Sequence, residues 1–420
     1  MTGISAADYK PANELFLWWL GDPSNPMLIG DLLMVASMRG VSLRYDAGWL
    51  SNGFALSEDL PLKSGEMLPR EKDSAVGAVD DARPDRWGER VINFLDKPAR
   101  RAVLDMLWLC GEERFGALGV SLRRDAYVPR GLGPLPALAD VPAMEVLVQR
   151  ILAGEPVPQD ERRLIAPGVT LGGARPKALL MIDGVQWVVK FSEADDAFNL
   201  PLVEHATMTL ARIAGINVAE TFVIPLQGAH AVHHAIAIKR FDREGLRRLH
   251  AVSANVALKA AGQDLGYPEL AQLLRRRGSA NSAVRAADME EVLRRALFNV
   301  LIDNTDDHER NHALLTDDSG ALRLSPAFDV LPSGQALGYQ QMRLGSQGNE
   351  ATIDNAVSEL SQYGLRPKAA DAALRNVVEA VAGWKDHFRS VGVSSADIDF
   401  LSQQIDRPAL LDQRKAYLNF

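Results

Sequence analysis

The sequence predicts an α+β fold in which two strand-rich regions precede a helical one. Up to about residue 245, short strand-like runs alternate with glycine, proline and aspartate, and the turn Asp183-Gly184 joins two of those runs. From about residue 246 onward, apolar residues recur at the spacing of a helix instead. With 420 residues the chain is too long for one compact core, and the predicted domains are 1–125, 126–245 and 246–420.

The first predicted domain is a small α+β unit. The runs "GVSLRY", "DAGWLSNG" and "FGALGVSL" are typical of short strands with turns, and "RPDRWGERVINFLDKPARRAVLDMLWLCG" is typical of helix. The proline- and glycine-rich run "YVPRGLGPLPALADVP", residues 127–142, is predicted to connect this unit to the second domain.

The second predicted domain contains the clearest hairpin. Its strands are "ALLMI" and "VQWVVKF", and "TLGGARPK" precedes them, where Gly172 and Gly173 allow the backbone to approach another group closely. A helix in "LPLVEHATMTLARIAGI" ends at Gly215, and "NVAETFVIPL" and "AHAVHHAIAIKRFD" are again strand-like. A glycine loop, a hairpin, a helix and further strands are therefore predicted to form one lobe.

The third predicted domain is all-helical. "DMEEVLRRALFNVLIDN" opens with Asp288 as the expected N-cap and has Glu291 three residues later, which is the pattern of a capping box. Helical spacing also occurs in "PELAQLLRRR", "PKAADAALRNVVEAVAGWKDHF" and "ADIDFLSQQID". These segments predict a helical C-terminal lobe.

Composition and charge exclude several classes of protein. The net charge of −8 disfavours a chain that binds nucleic acid over its whole surface. The single cysteine, Cys110, excludes an internal disulfide and lies in an apolar run, so we expect a buried thiol in a reducing compartment. No window reaches the length of a membrane span and the first residues lack the pattern of a signal peptide, so we expect a cytoplasmic protein without a membrane partner.

The stretch "NTDDHERNHALL", residues 304–315, fits two different kinds of site. His308 and His312 form the H-E-x-x-H of a zinc hydrolase, whereas Asp306 and Asn311 form the D-x-x-x-x-N of a kinase catalytic loop. A zinc site needs both histidines one helical turn apart on an inward face. The turn-forming "DNTDD" and the polar residues between the histidines disfavour such a helix.

Phosphoryl transfer requires a lysine on the phosphates, a carboxylate for the acceptor hydroxyl, and oxygen ligands for magnesium. The sequence supplies these groups in chain order: Lys190, Glu204, Asp306, Asn311 and Asp329. Each one alone has an ordinary structural explanation, such as a surface lysine, a turn residue or a loop cap. The complete ordered set favours the kinase interpretation.

With these motifs the chain resembles the HipA-type serine/threonine kinases, the toxin members of bacterial toxin–antitoxin pairs. "DARPDRWGER" and "CGEERFGAL" are similar to the family's N-terminal signatures, "TLGGARPKALL" to its phosphate-binding and regulatory loop, and "WVVKF" to its lysine strand. "IKRFDR" is similar to the hinge, "NTDDHERNHALL" to the catalytic loop and "LSPAFDVLPS" to the metal-binding segment. The resemblance covers most of the chain and implies a bilobal protein-kinase-like fold with an N-terminal α+β subdomain, a nucleotide-binding lobe and a helical catalytic lobe.

The resemblance implies a role for each matching residue of the catalytic segment. Asp306 matches the catalytic base, and His308 would hold the backbone of the catalytic loop. Asn311 and Asp329 match the ligands of Mg²⁺.

For ATP, the resemblance implies contacts from three segments. Lys190 matches the phosphate-binding lysine, Glu204 is the helix acid expected to pair with it, and Asp242 would lie near the ribose. The hinge whose backbone meets the adenine comprises Lys239, Arg240 and Phe241. The loop over the phosphates comprises Gly172, Gly173, Ala174, Arg175 and Lys177.

Regulation and partners are also implied by the resemblance. The family is regulated by autophosphorylation of a serine just ahead of the glycine loop, and Thr170 stands at the matching position. A phosphate there would add about −1.5 to −2 charge beside the nucleotide loop. The implied substrate is a translation component such as an aminoacyl-tRNA synthetase, with growth arrest as the effect. The implied partner is a small DNA-binding antitoxin of the HipB type, through which DNA is chiefly contacted.

Two other functions remain open at this point. A catalytically silent family member acting as a co-repressor or scaffold would keep the fold and bind nucleotide without transferring phosphate. A zinc metalloprotease using His308 and His312 would contain stoichiometric zinc.

Overall fold

The computed structural model describes residues 4–165, 173–227 and 232–418. The chain divides into two compact units, the first comprising Met1–Glu193 with Lys239–Val252 and the second comprising Ala194–Ile238 with Ser253–Phe420. Strands and helices are mixed, and the predicted α+β class is confirmed. The domain boundaries near residues 125 and 245 stay predictions.

The secondary structure alternates between short strands and helices. The strands are β1 (Glu14–Trp19), β2 (Met27–Val35), β3 (Gly40–Tyr45), β4 (Glu66–Met67), β5 (Leu118–Ser121), β6 (Lys177–Ile182), β7 (Val185–Lys190), β8 (Thr221–Gln227), β9 (Val232–Lys239), β10 (Arg243–Glu244), β11 (Arg247–Arg248), β12 (Ala251–Ser253), β13 (Ala313–Thr316) and β14 (Leu322–Leu324). The helices are α1 (Ala47–Asn52), α2 (Arg86–Leu95), α3 (Val103–Leu109), α4 (Val141–Ala153), α5 (Leu200–Ile213), α6 (Ala254–Ala260), α7 (Tyr267–Arg277), α8 (Ser282–Leu301), α9 (Ile353–Ala356), α10 (Pro367–Ala382), α11 (Trp384–Val391), α12 (Ser395–Ile405) and α13 (Pro408–Leu418).

A five-stranded antiparallel sheet in the order β4-β3-β2-β1-β5 forms the base of the first unit. Helix α3 packs on it, and all seven residues of that helix are buried because "VLDMLWL" is apolar at nearly every position. Cys110 follows this helix and is buried, and burial raises the pKa of its thiol to about 11. The expected buried cysteine is therefore confirmed, and its thiol stays protonated at neutral pH.

The β6–β7 hairpin has the predicted turn. Asp183 and Gly184 both have positive φ, 49° and 78°, as a two-residue type I′ turn requires. The register places Lys177, at the start of β6, directly opposite Lys190, at the end of β7. The backbone N–H of Phe191 donates to the carbonyl of Pro176 at 3.0 Å and closes the open end of the hairpin.

The second unit is built around α8, the longest of the described helices. Helices α7 and α10 pack along α8, and its buried residues form the apolar stripe that its sequence predicts. The predicted helical C-terminal lobe also contains strand β11 and a three-stranded sheet in the order β12-β13-β14, in which β13 and β14 form a hairpin. That hairpin forms because Asp317 Oδ1 accepts from the backbone N–H groups of Ser319 and Ala321 and stabilises the turn.

Two predicted element boundaries are wrong. Helix α8 begins at Ser282, since Asn281 accepts from Ala283 and Val284 as N-cap, and Asp288 instead pairs with Arg323 at 2.6 Å. "DAGWLSNG" contains helix α1 instead of a strand, because Asp46 caps it by accepting from Gly48 N–H. Among the helices that the structure describes, none combines the length and the apolar character that a bilayer crossing requires.

Candidate active site

The loop that carries Asp306 is tied back to the end of α8. The N–H of Asn304 donates to the carbonyl of Asn299 at 2.9 Å, and its side-chain amide donates to Asn299 Oδ1 at 3.1 Å. Asp303, which directly precedes Asn304, has φ of +60°, a backbone conformation that aspartate tolerates better than most residues. The chain therefore leaves the helix in a fixed direction just before Asp306.

The two consecutive aspartates of this loop have opposite environments. Asp306 is exposed, whereas Asp307 is 1% exposed. Asp307 Oδ2 accepts from the hydroxyl of Tyr267 and from His312 Nε2, the latter at 2.7 Å. Asn299 Nδ2 in turn donates to the Tyr267 hydroxyl at 3.2 Å. We call Asn299, Tyr267, Asp307 and His312 the buried hub, and it leaves Asp306 projecting into solvent from a loop with an anchored neighbour.

One side chain of the buried hub, Tyr267, has a shifted pKa. Burial and then the neighbouring Asp307 carboxylate raise the pKa of Tyr267 well above its usual range, so its hydroxyl stays a donor. The rings of Tyr267 and His312 meet edge to face with centroids 5.5 Å apart. Asp307 Oδ2 is the common acceptor of the Tyr267 and His312 side chains.

The segment 308–312 lacks the geometry of a zinc-binding H-E-x-x-H. His308 and His312 have extended backbones, and only a 3₁₀ turn at Glu309–Asn311 separates them, so the histidines are not on one helix face. His312 Nε2 is already bonded to Asp307. In the described part of the chain, no three His, Cys, Asp or Glu side chains cluster as a metal site. The helix that the metalloprotease alternative requires is therefore absent from this segment.

His308 contributes to this turn through its backbone, since its carbonyl accepts from Asn311 N–H at 2.8 Å. Its Nδ1 is buried and has no hydrogen-bond partner among the described residues. The expectation that its side chain holds the loop stays a prediction.

The amide oxygen of Asn311 is a candidate ligand for a cation. It is 5% exposed, and its Oδ1 is buried with no hydrogen-bond partner in the ranges that the structure describes. Asn311 also lines a small cavity together with Asp307, His312, Phe328 and Val330. A buried amide oxygen without a donor is the type of ligand that a hard cation such as Mg²⁺ takes.

Asp329 lies half-buried in the segment that follows β14, with φ of +58°. The backbone around it is fixed by two neighbours, since Ala327 N–H donates to the Asn217 carbonyl at 2.7 Å and Arg295 donates to the Ser325 carbonyl at 2.7 Å. Together with Asn311, this carboxylate fits the oxygen ligands that Mg²⁺ prefers.

A second anchor joins the start of the loop that carries Asp306 to the segment after Asp329. Asp303 is fully buried, pairs with Arg407 and accepts from Ala336 N–H at 3.2 Å. Its carbonyl accepts from Ser333 N–H at 3.0 Å, and the hydroxyls of Ser333 and Thr305 lie 2.6 Å apart. This clamp was not predicted, because Arg407 lies 104 residues away along the chain.

In the first unit, the predicted hinge surrounds a buried carboxylate. Asp242 accepts from the guanidinium groups of Arg240 and Arg243 and from Gly116 N–H at 2.8 Å. Burial alone would raise the pKa of Asp242, but the guanidinium groups of Arg240 and Arg243 outweigh it and hold the pKa far below its usual range. Asp242 therefore serves as a buried ion-pair centre, and its predicted place near a ribose stays a prediction.

The other hinge residues are held by the N-terminal part of the same unit. Arg240 N–H donates to the carbonyl of Gln186 at 3.0 Å, and its side chain donates to the carbonyls of Glu113 and Arg114. Phe241 meets Phe115 edge to face at 6.0 Å. Lys239, the last residue of β9, is half-buried.

The residues predicted for the phosphate loop are placed only in part. Thr170 and Gly172 lie outside the described residues, whereas Gly173 has φ of +93°, which favours glycine. Ala174 is exposed and Arg175 is half-buried. Lys177 is 1% exposed, and its Nζ lies 2.6 Å from Asp85 Oδ2.

The remaining two predicted residues are both buried. Lys190 is 8% exposed at the end of β7 in the first unit, and Glu204 is fully buried on α5 in the second. Sequence reasoning missed Asp307, Tyr267 and Asp85. The only local signal for any of them was the doubled aspartate at 306–307.

Comparison with known proteins gives two family matches. The HipA-like C-terminal domain matches residues 169–384, and the HipA N-terminal domain matches residues 24–121. The serine/threonine-protein kinase toxin HipA of Shewanella oneidensis is 25% identical over 344 residues, which cover 74% of this chain and 73% of that protein. Y4dM of Sinorhizobium fredii is 33% identical over 158 residues, and that match spans only 37% of its own length.

A solved structure supports the fold over nearly all of the chain. HipA of Shewanella oneidensis MR-1, determined in a complex with HipB and its operator DNA, gives a TM-score of 0.66 at 19% identity and covers 97% of this chain and 98% of that one. The likeness shows a common fold, and the predicted α+β, bilobal kinase-like fold is confirmed.

Proposed function

The chain belongs to the HipA family, and on that premise we propose that it is an MgATP-dependent serine/threonine protein kinase. The observation that carries this proposal is that exposed Asp306 directly precedes Asp307 of the buried hub, in the same loop as the Asn311 amide oxygen that has no hydrogen-bond partner among the described residues. A base for an acceptor hydroxyl must reach its substrate and keep its orientation. Exposure of one aspartate and burial of the next provide both.

In the proposed reaction, Asp306 accepts the proton of the substrate's serine or threonine hydroxyl on its carboxylate oxygen. The carboxylate also orients that hydroxyl toward the γ-phosphate, which is the main contribution of the base in phosphoryl transfer. His308 would support the loop from the position next to the hub.

The phosphate charge is met by a lysine and by Mg²⁺ in the proposed site. The Lys190 ammonium binds phosphate oxygens and is expected to pair with Glu204. Asn311 Oδ1 and the Asp329 carboxylate hold Mg²⁺, which when bound neutralises charge on the phosphates. The supporting observations are the burial of Lys190 and the buried, unmatched oxygen of Asn311.

The proposed adenine contacts come from the backbone of Lys239, Arg240 and Phe241. Arg240 and Asp242 are both buried, and their pairing supports the hinge in a fixed conformation. A fixed backbone reduces the entropy lost when a nucleotide binds.

The proposed substrate is a component of translation such as an aminoacyl-tRNA synthetase, and the proposed effect is growth arrest. The proposed location of the protein is the cytoplasm. The partner is a small HipB-type antitoxin that brings the chain to DNA. The proposed partner is supported by the relative from Shewanella oneidensis, whose solved complex contains HipB and operator DNA. Thr170 is the proposed regulatory phosphosite.

Transfer of labelled γ-phosphate from MgATP tests the proposal. Wild type and Asp306→Ala are incubated alone and with a cell lysate, and labelled proteins are identified by mass spectrometry. We expect a discrete lysate protein labelled by wild type only, and label on the chain itself at Thr170 that Thr170→Ala removes. Wild type that binds ATP but labels nothing would contradict the kinase and favour a silent co-repressor or scaffold.

A further inference from the structure

Two lysines of the first unit face each other across the β6–β7 hairpin. Lys177 and Lys190 are directly opposite in the register, and their exposed fractions are 1% and 8%. Side chains that are directly opposite project from the same face of the sheet, and like charges in that position repel each other. A buried pair of ammonium groups therefore needs negative charge close by.

Asp85, at the start of α2, supplies that charge to Lys177. Its Oδ2 lies 2.6 Å from Lys177 Nζ, and the side chains are 7% and 1% exposed. Its Oδ1 accepts from Gly88 N–H at 2.8 Å, so the same carboxylate is the N-cap of α2. The indole N–H of Trp87 donates to the Lys177 carbonyl at 2.7 Å. The first turn of α2 thus holds Lys177 by both its side chain and its backbone.

Lys177 reaches back to the glycine loop from this anchored position. Its Nζ donates to the carbonyl of Gly173 at 3.3 Å, and Gly173 has the left-handed φ of +93°. The ammonium group therefore bridges the N-terminal carboxylate and the loop backbone. This arrangement differs from that of a lysine extended toward a phosphate.

We propose that Asp85 is a positioning residue for ATP, which fixes Lys177 as the anchor of the glycine loop and leaves the phosphate contact to Lys190. The inference rests on the proposed kinase function and assigns a task within it to the N-terminal domain, where Asp85 lies inside the family match of residues 24–121. Lys177 acts on the loop in this account, although its sequence position alone suggests a phosphate contact.

The test compares Asp85→Asn, Lys177→Met and the double variant with wild type. Asparagine keeps an oxygen that can cap α2, so the substitution removes the charge with little effect on the helix. Asp105→Asn is the matched control, because Asp105 is also buried, caps α3 through Ala102 N–H and pairs with Arg100 away from the glycine loop. Steady-state phosphate transfer gives KM for ATP and kcat separately, and thermal unfolding without nucleotide reports the fold.

We expect Asp85→Asn to raise KM for ATP by about tenfold or more while kcat changes by less than about threefold. The double variant should have the same KM for ATP as Lys177→Met alone, since both changes remove the same anchor. Asp105→Asn should change thermal stability without changing KM. If Asp85→Asn does not fold, Asp85→Ser, which also caps a helix, takes its place.

Four results overturn the proposal. Equal KM values for Asp85→Asn and Asp105→Asn would make Asp85 a purely structural residue. Additive effects of Asp85→Asn and Lys177→Met would mean that Lys177 acts on the phosphate independently of Asp85. If wild type neither binds ATP nor transfers phosphate, the kinase function fails together with the inference, whereas an active wild type with an unchanged Asp85→Asn overturns the inference alone.

Discussion

Asp307 Oδ2 accepts a hydrogen bond from His312 Nε2 at 2.7 Å, and this contact closes the loop that displays Asp306. The bonded pair is buried, and the Tyr267 hydroxyl donates to the same oxygen from α7. A charge-assisted contact of this kind is stronger than a neutral one and resists displacement by water. The orientation of the exposed acid therefore depends on its buried neighbour.

Tyr267→Phe tests the buried hub. The change removes the hydroxyl that donates to Asp307 and accepts from Asn299, so a buried carboxylate loses one donor. We expect the free energy of unfolding to fall by about 1–3 kcal/mol. We expect kcat for phosphate transfer to fall several-fold with little change in KM for ATP. Denaturant unfolding measures the change in stability, and steady-state kinetics measure kcat and KM.

Tyr363→Phe is the control for that substitution. Tyr363 is also buried in the second unit, but its hydroxyl has no hydrogen-bond partner among the residues described. Its removal should leave stability and kcat nearly unchanged. Equal effects of the two substitutions would contradict a special role for the hub.

Arg407→Met tests the clamp at Asp303. Burial raises the pKa of Asp303 even though Arg407 lowers it, so loss of Arg407 leaves a buried, poorly compensated carboxylate. We expect the free energy of unfolding of Arg407→Met to be lower than that of wild type by about 3 kcal/mol at neutral pH. Because a group with a raised folded-state pKa favours the native state as it takes up its proton, this loss should shrink as pH falls toward 5.

The clamp prediction is measured by urea unfolding of Arg407→Met at pH 8 and pH 5. Arg375→Met is the control, since its pair with Asp371 is exposed and contributes less than about 1 kcal/mol. A loss that is the same at both pH values would show that the effect of Arg407 does not pass through Asp303.

Asp242→Asn tests the ion-pair centre of the hinge. The folded-state pKa of Asp242 is depressed, so its stabilising contribution is present above the unfolded-state pKa of about 3.9 and is lost as pH falls. We expect the variant to be less stable by about 3–5 kcal/mol at pH 7. The difference from wild type in urea unfolding should narrow between pH 5 and pH 3, and a constant difference would refute the charge pairing as its origin.

Asn311→Ala tests the proposed cation ligand. The concentration of Mg²⁺ that gives half-maximal phosphate transfer should rise by about tenfold or more, since a metal ligand is removed. Stability without Mg²⁺ should change little, because the removed oxygen makes no hydrogen bond to any described residue. Asn93→Ala is the control, as Asn93 Oδ1 on α2 is buried in the same way. An unaltered Mg²⁺ requirement in Asn311→Ala would reject this residue as a ligand.

Local patterns in the sequence were sufficient to predict the strands and helices that carry the candidate site. The Asp183-Gly184 pair predicted the β6–β7 hairpin because both residues tolerate positive φ. The spacing of apolar residues predicted which face of α8 is buried. The doubled aspartate was visible in the sequence, but which of the two is buried depends on Tyr267, which lies 40 residues earlier.

Two of the contacts that support the site are long-range ion pairs, and local patterns do not contain them. Asp85 and Lys177 lie 92 residues apart, and Asp303 and Arg407 lie 104 residues apart. Asp288 has the local pattern of an N-cap, yet its partner is Arg323 on β14 and the helix continues past it. In each case tertiary contacts override a local preference.

The role of Asp306 as the catalytic base is tested most directly by measuring ATP affinity and single-turnover transfer of the γ-phosphate for Asp306→Asn. Asp371→Asn, an exposed change of the same charge on α10, is the control. For Asp306→Asn we expect an ATP dissociation constant within about twofold of wild type and a transfer rate lower by about 100-fold or more. Transfer at the wild-type rate by Asp306→Asn would contradict the assignment of Asp306 as the catalytic base.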